Sequence, residues 1–145
     1  MAAFANMVIA DALGSPVNHT FVPVQNANGI YLWQDQSAAS NPLGVPVGFN
    51  TISAQGAMSK DVNAGRGKFA LDFRYVMPTL ETVSNSTQSG ILPAATWAYD
   101  CAMFVKFVFA ARSSLQNRKD VLKMGPLALA NTQLSDWVQT YQQPS

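Results

Sequence analysis

The stretch "GRGKFALDFRYVMP" (residues 65–78) decides how this chain is read. Taken in alternate steps, Phe69, Leu71, Phe73 and Tyr75 fall on one side, and Arg66, Lys68, Ala70, Asp72 and Arg74 on the other. Successive side chains of a β-strand point to opposite faces, so the alternation predicts one strand with an apolar face and a charged face. Three cations on one strand need a reason, because the chain is otherwise poor in charge.

Working outward, "WAYDCAMFVKFVFA" (residues 97–110) repeats the design. Cys101, Met103, Val105, Phe107 and Phe109 share an apolar face; Asp100, Ala102, Phe104, Lys106 and Val108 share the other. Two such strands predict an antiparallel sheet with one covered face and one partly polar face. Upstream, residues 20–24 form a short strand whose Pro23 suits an edge. Asn28-Gly29 followed by Ile30-Tyr31-Leu32-Trp33 is a hairpin signal, since Asn-Gly accepts the positive φ values of a type I′ turn. Residues 49–55 read as a further strand, and 81–96 as a polar loop.

The character changes at Ser113. Ser113 and Gln116 have capping-box spacing, and Leu115, Leu122 and Leu129 recur on one helical face. Gly125-Pro126 predicts a kink or a break, followed by a second helical stretch through Trp137, Val138 and Tyr141. Strands first and helices last make this an α+β chain with helices on one face of a sheet.

The 145 residues read as a single domain (1–145), with an N-terminal hairpin over 1–36, the main sheet over 45–110 and helices over 113–142. Charged residues make up only 12% against 48% hydrophobic, so much of the surface is expected to be buried against other copies of the chain. The net charge of +1 excludes a general polyanion binder, but all nine cations lie between Lys60 and Lys123, and residues 1–59 carry only Asp11 and Asp35. Any basic surface therefore belongs to the middle and later part. No apolar run approaches membrane-spanning length, and the start lacks the basic region of a secretion signal.

Catalytic chemistry is thinly supplied. His19 is the only histidine, with no acid near it in sequence, and a surface or capping role is expected for it. The aspartates show no acid–base or calcium-loop spacing, and Cys101 alone builds neither a disulfide nor a zinc site. A buried thiol is expected there. No enzyme, cofactor or metal is predicted.

In order and spacing, "SPVNHTFVPV", the Asn28-Gly29 hairpin, the basic strand ending in "VMPTLE", the run "AYDCAMFVKFVFAARSSLQNRKD" and the closing "DWVQTYQQP" are together similar to the coat proteins of single-stranded RNA bacteriophages, the leviviruses. The resemblance covers nearly the whole chain. It implies an N-terminal β-hairpin, a five-stranded antiparallel sheet and two C-terminal helices. It further implies an obligate homodimer with a continuous ten-stranded sheet, each subunit's helices covering the partner's sheet on one face. Such dimers would close an icosahedral shell assembled in the bacterial host cytoplasm, the virion holding genomic single-stranded RNA and a maturation protein.

On this reading the polar sheet face meets RNA. Arg66, Lys68, Arg74 and Lys106 are carried over as phosphate contacts, with Asp72, Tyr99 and Phe104 as further candidates. Tyr99 falls on the apolar side of a regular strand, and a bulge near Asp100 would be needed to turn it to the RNA. Hairpin-specific translational repression depends on such a ring. The 81–96 loop has no cysteine, so the covalent links some family members make there are absent. The competing reading is a non-viral β-rich module binding carbohydrate or single-stranded nucleic acid, with Trp33, Trp97 and Trp137 as stacking platforms.

Overall fold

The computed structural model describes residues 4–37, 40–41, 44–59, 65–81 and 94–141. Six strands form one antiparallel sheet: β1 (Met7–Ala10), β2 (Asn18–Ala27), β3 (Ile30–Asp35), β4 (Asn50–Met58), β5 (Lys68–Leu80) and β6 (Trp97–Ala110). Their spatial order is their chain order. Two helices follow, α1 (Leu115–Leu129) and α2 (Thr132–Thr140). The expected α+β order is found. The first hairpin is continuous with the sheet, and short β1 brings the strand count to six.

The turn between β2 and β3 is built as its residues dictate. Asn28 and Gly29 take φ values of 54° and 74°, and Ala27 faces Ile30 across the ladder. Pro23 sits beyond the end of the β1 ladder, which stops at Met7 opposite Phe21. On its other side the β2–β3 register slips between Pro23 and Gln25, so the missing N–H falls at an edge and a bulge.

The chain divides into two compact units. The first comprises residues 1–57 and 70–108. Residues opposite one another in an antiparallel ladder share a face, which puts Met7, Ile9, His19, Phe21, Trp33, Asp35, Asn50 and Ile52 together. Among the described residues, Phe21 and Ile52 are the buried apolar side chains, and the Phe21 ring meets Tyr75 edge-on at 6.2 Å. On this face lies an apolar hollow of about 950 Å³, reached also by Phe73, Tyr75 and Met103. Its rim turns on Gly48, where a Cβ would stand 2.8 Å from Leu80 Cδ1 and 3.0 Å from the Asn41 amide. Glu81 and Thr96 clasp the two ends of the β5–β6 connection, with Glu81 N–H donating to the Thr96 carbonyl at 2.8 Å. Most of that connection, expected to be a polar loop, lies outside the described residues.

The second unit comprises residues 58–69 and 109–145. Gly65 and Gly67 have φ of +69° and +96°, so β5 starts at Lys68 and Arg66 belongs to the turn before it. This corrects the strand drawn from residue 65: alternation cannot pass through a left-handed glycine. The N-cap of α1 is Ser114, not Ser113; its hydroxyl accepts from Asn117 N–H at 3.0 Å. Gln116 closes no capping box and instead donates to Asp120 at 2.7 Å. Gly125-Pro126 does not end the helix. α1 runs on to Leu129, and the break comes at Asn131, whose side chain caps α2 by accepting from Gln133 N–H. No residue of either helix is buried; Leu122, Met124, Leu127 and Val138 stand open.

Candidate nucleic-acid interface

The sheet face opposite the hollow carries Ile30, Leu32 and Gln34 from β3 and Thr51, Ser53 and Gln55 from β4. It continues into Asp72 and Arg74 of β5 and Phe104 and Lys106 of β6, which enclose a shallow cleft of about 310 Å³ with Ile30, Ser53 and Gln55. The Arg74 guanidinium lies over the Phe104 ring at 5.0 Å, and Lys106 Nζ stands 3.2 Å from Asp72 Oδ1. These contacts join even-numbered residues of the two strands, as the alternation predicts. Phe104 is 69% exposed, a phenyl ring open to solvent beside two cations. Both members of the Asp72–Lys106 pair are largely solvated, so the pair adds little stability and Lys106 stays free to exchange its partner.

Arg66 and Lys68 lie in the second unit, where Lys68 N–H donates to Ser59 Oγ and Ser59 N–H to the Lys68 carbonyl, both at 3.0 Å. Tyr99 is exposed within the continuous strand β6 and shares the parity of Met103, which lines the hollow. It is not among the residues of the Arg74–Phe104 cleft. Cys101 is exposed rather than buried. Among the described residues, none covers it. Of the three tryptophans, Trp33 is engaged internally: its indole N–H donates to the Ala5 carbonyl at 3.0 Å and Phe4 packs edge-on against it.

The sequence reading missed one polar cluster. His19, far from any acid in sequence, lies between two. Its Nδ1 is 2.6 Å from Asp35 Oδ2 and its Nε2 is 3.3 Å from Asp11 Oδ2. The Ser40 hydroxyl is 2.9 Å from Nδ1 and donates to Asp35, which also accepts Ser37 N–H at 3.1 Å. Asp11 accepts Val17 N–H at 2.9 Å and Leu13 N–H at 3.2 Å. The hydrogen bond to Asp35 raises the His19 pKa above its ordinary value, against the opposing effect of burial, with Asp11 adding to the rise. Burial pushes the Asp35 carboxyl up, but hydrogen bonds from Ser40, Ser37 and His19 outweigh it and hold the group low. Asp11 is lowered chiefly by Val17 N–H.

The cluster is not a nucleophilic relay. Ser40 and Asp35 meet the same ring nitrogen, so the imidazole does not stand between hydroxyl and carboxylate as a relay requires. Among the described residues no three His, Cys, Asp or Glu side chains converge where a metal ion could sit. Among the described residues, no helix is long and apolar enough to cross a membrane.

Comparison with known proteins bears on the whole chain. None of the curated proteins compared with it matches. Among solved structures, the virus-like particle of bacteriophage ESE058 is 35% identical with a TM-score of 0.84, over 97% of this chain and 98% of that one. The virus-like particle of bacteriophage NT-214 is 26% identical with a TM-score of 0.81, over 99% and 100%. An unassembled bacteriophage coat protein dimer, described as an RNA-binding dimer, shares the fold at 19% identity and a TM-score of 0.53, over 99% of each chain. The family model for levivirus coat protein matches residues 2–144, and by that match along its length this chain belongs to the levivirus coat protein family.

Proposed function

We propose that this coat protein pairs into two-fold dimers, that the dimers close an icosahedral shell, and that the shell packages single-stranded RNA against the Arg74–Phe104 face. The observation that carries the RNA reading is the clustering of Arg74, Phe104 and Lys106 on the sheet face turned away from the apolar hollow. A cation neutralises a phosphate and an exposed ring accepts a base by stacking, a combination suited to single strands. Arg66 and Lys68 are assigned as further phosphate contacts. Asp72 holds Lys106 until a phosphate replaces it. Tyr99 is assigned to RNA only if its strand bends locally.

Self-association is supported by what the chain leaves open. The hollow, the bare apolar side chains of α1 and α2, and a sheet ending in the long strand β6 suit a second copy as cover. An obligate interface of this kind buries roughly 2,000–5,000 Å². The particle is the virion, assembled in the bacterial cytoplasm around genomic RNA with a maturation protein.

The test is expression in bacteria followed by sedimentation, microscopy and nucleic-acid content of the particles. Wild type is expected as closed shells with nucleic-acid absorbance. The R66Q/K68Q/R74Q variant is expected to fold and dimerise but to bind RNA with a log–log salt slope smaller by about 2, from three lost single-strand contacts. A stable monomer across micromolar concentrations would overturn the assembly reading. Normal packaging by the triple variant with an unchanged salt slope would overturn the RNA face.

A further inference from the structure

The His19 cluster serves none of the functions above, yet it holds the only two charged residues of the first 59 against the only histidine of the chain. Its geometry constrains its protonation. Both ring nitrogens face carboxylate oxygens, and an ionised carboxylate only accepts hydrogen bonds. Neutral imidazole has one N–H and one lone pair, so it satisfies one aspartate and turns a lone pair on the other. Only the doubly protonated ring donates to both.

The partners come from separate segments. Asp11 closes the β1–β2 turn over residues 11–17; Asp35 ends β3 and, with Ser37 and Ser40, ties down the segment that follows. Asp35 is wholly out of solvent, so it cannot trade the ring for water without the segment moving. Asp11, Ala12, Leu13, Ser40 and Asn41 line the hollow, so both segments form its wall.

We propose that His19 is a proton-operated latch that fastens the β1–β2 turn and the segment after β3 to the sheet, and that loss of one proton from its ring frees both walls of the hollow. The latch belongs to the chain itself and stands whether or not the chain binds RNA.

The neighbours fix the sign. Facing the ring are Asp11 from the turn and Asp35 from β3. The neutral Ser40 hydroxyl also meets Nδ1, at 2.9 Å; beyond these stand the neutral Ser37, Asn41 and Asn50, and Tyr75 from β5, whose phenol is raised by burial and then by the Asp35 charge. β1 sets uncharged Ile9 opposite His19, and β6 offers Met103. Glu81 is the other acid on the lining, and no Lys or Arg is there among the described residues. Every charge near the ring thus favours its protonated form. A histidine with a raised folded-state pKa stabilises fully below its unfolded value and loses that contribution as pH rises through the folded one. The latch is therefore closed in mild acid and opens on the alkaline side of about 6.5.

The test uses the full-length protein in its assembled state, across about pH 5 to 9, with amide hydrogen exchange read by mass spectrometry and corrected for the intrinsic rate. Exchange at the His19 Cε1 position reports the ring's own protonation midpoint, free of other signals because there is one histidine. The amides of residues 11–17 and those of Ser37, Ser40 and Asn41 are expected to lose protection together at that midpoint, the opening constant rising by at most about tenfold per pH unit, the slope of one proton. H19Q is expected to remove the step, and D11N to move it to lower pH. Protection of these amides that stays flat across the range overturns the latch, as does a step that survives in H19Q. Should H19Q fail to fold, the comparison of wild type with D11N decides: an unmoved midpoint overturns the proposal.

Discussion

His19 Nδ1 and Asp35 Oδ2 lie 2.6 Å apart, binding the second residue of β2 to the last residue of β3 on the sheet face that bears the hollow. The aspartate is fully buried and the histidine mostly so. Together they seal the end of the hairpin opposite the Asn28-Gly29 turn. The seal has consequences that can be measured.

Asp35 and Asp11 hold the same ring but differ in burial, so their removal separates in size. Asp35→Ala leaves a buried imidazolium, a serine hydroxyl and a backbone N–H without their acceptor, and is expected to cost about 3–5 kcal/mol. Asp11→Ala loses a partly exposed partner and the turn's two N–H acceptor bonds, and is expected to cost distinctly less. Both carboxyls are held below their ordinary values, so their stabilisation is present above about pH 4 and is lost as pH falls through the depressed pKa. Chemical denaturation across pH checks both claims. Equal losses at Asp11 and Asp35 would contradict the burial argument.

The Asn28-Gly29 turn depends on left-handed backbone at both residues. Gly29→Ala is expected to lower stability by about 1–2 kcal/mol, the cost of a Cβ in that region, while Asn28→Gly should change it little. Thermal melting of the two variants distinguishes this from a general sensitivity of the hairpin.

The position of the α1 cap separates two adjacent serines. Ser114→Ala should cost about 1 kcal/mol by freeing Asn117 N–H, whereas Ser113→Ala should be nearly silent, since its carbonyl keeps the Arg118 contact. A reversed order would return the cap to the position that capping-box spacing suggested.

Phe104 and Arg74 offer a way to divide stacking from charge. Phe104→Ala removes an exposed ring and one cation–π contact, so stability should fall by less than about 1 kcal/mol. RNA affinity should drop by the value of one stacked base, about 1–3 kcal/mol, with the salt slope unchanged. Arg74→Gln should instead reduce the slope by about 0.7. Full affinity in Phe104→Ala would assign the ring to structure alone.

Much of this was legible from residue order. Alternation along β5 and β6 gave the facing that the Arg74–Phe104 and Lys106–Asp72 contacts display, and Asn28-Gly29 announced its turn. What escaped had local physical causes. Gly67 looks like an ordinary strand residue until its φ of +96° is known, so Arg66 was counted into β5. Pro126 forfeits a single hydrogen bond late in α1, and the helix absorbs that loss, whereas Asn131 supplies an acceptor that starts a new helix. The His19 cluster required the register, because Ile9 opposite His19 and Phe21 opposite Asp35 bring acids 8 and 16 positions away to one ring. One signal was available: in a segment with only two charges, a lone histidine is the natural place for both to be neutralised.

The sheet's order, β1-β2-β3-β4-β5-β6, bears on how the chain comes to exist. Each strand finds its partner in the strand made just before it, so no pairing must wait for a distant segment, and local contacts of this kind favour quick folding. During synthesis the hairpin and then β4 can zip up in turn as they emerge, each new strand covering the edge left open by the one before it. Strand β6 arrives last, after the longest connection, 81–96, and the helices follow it. The surfaces that invite a second copy are thus finished only when the chain is nearly complete, which keeps unfinished chains from joining one another.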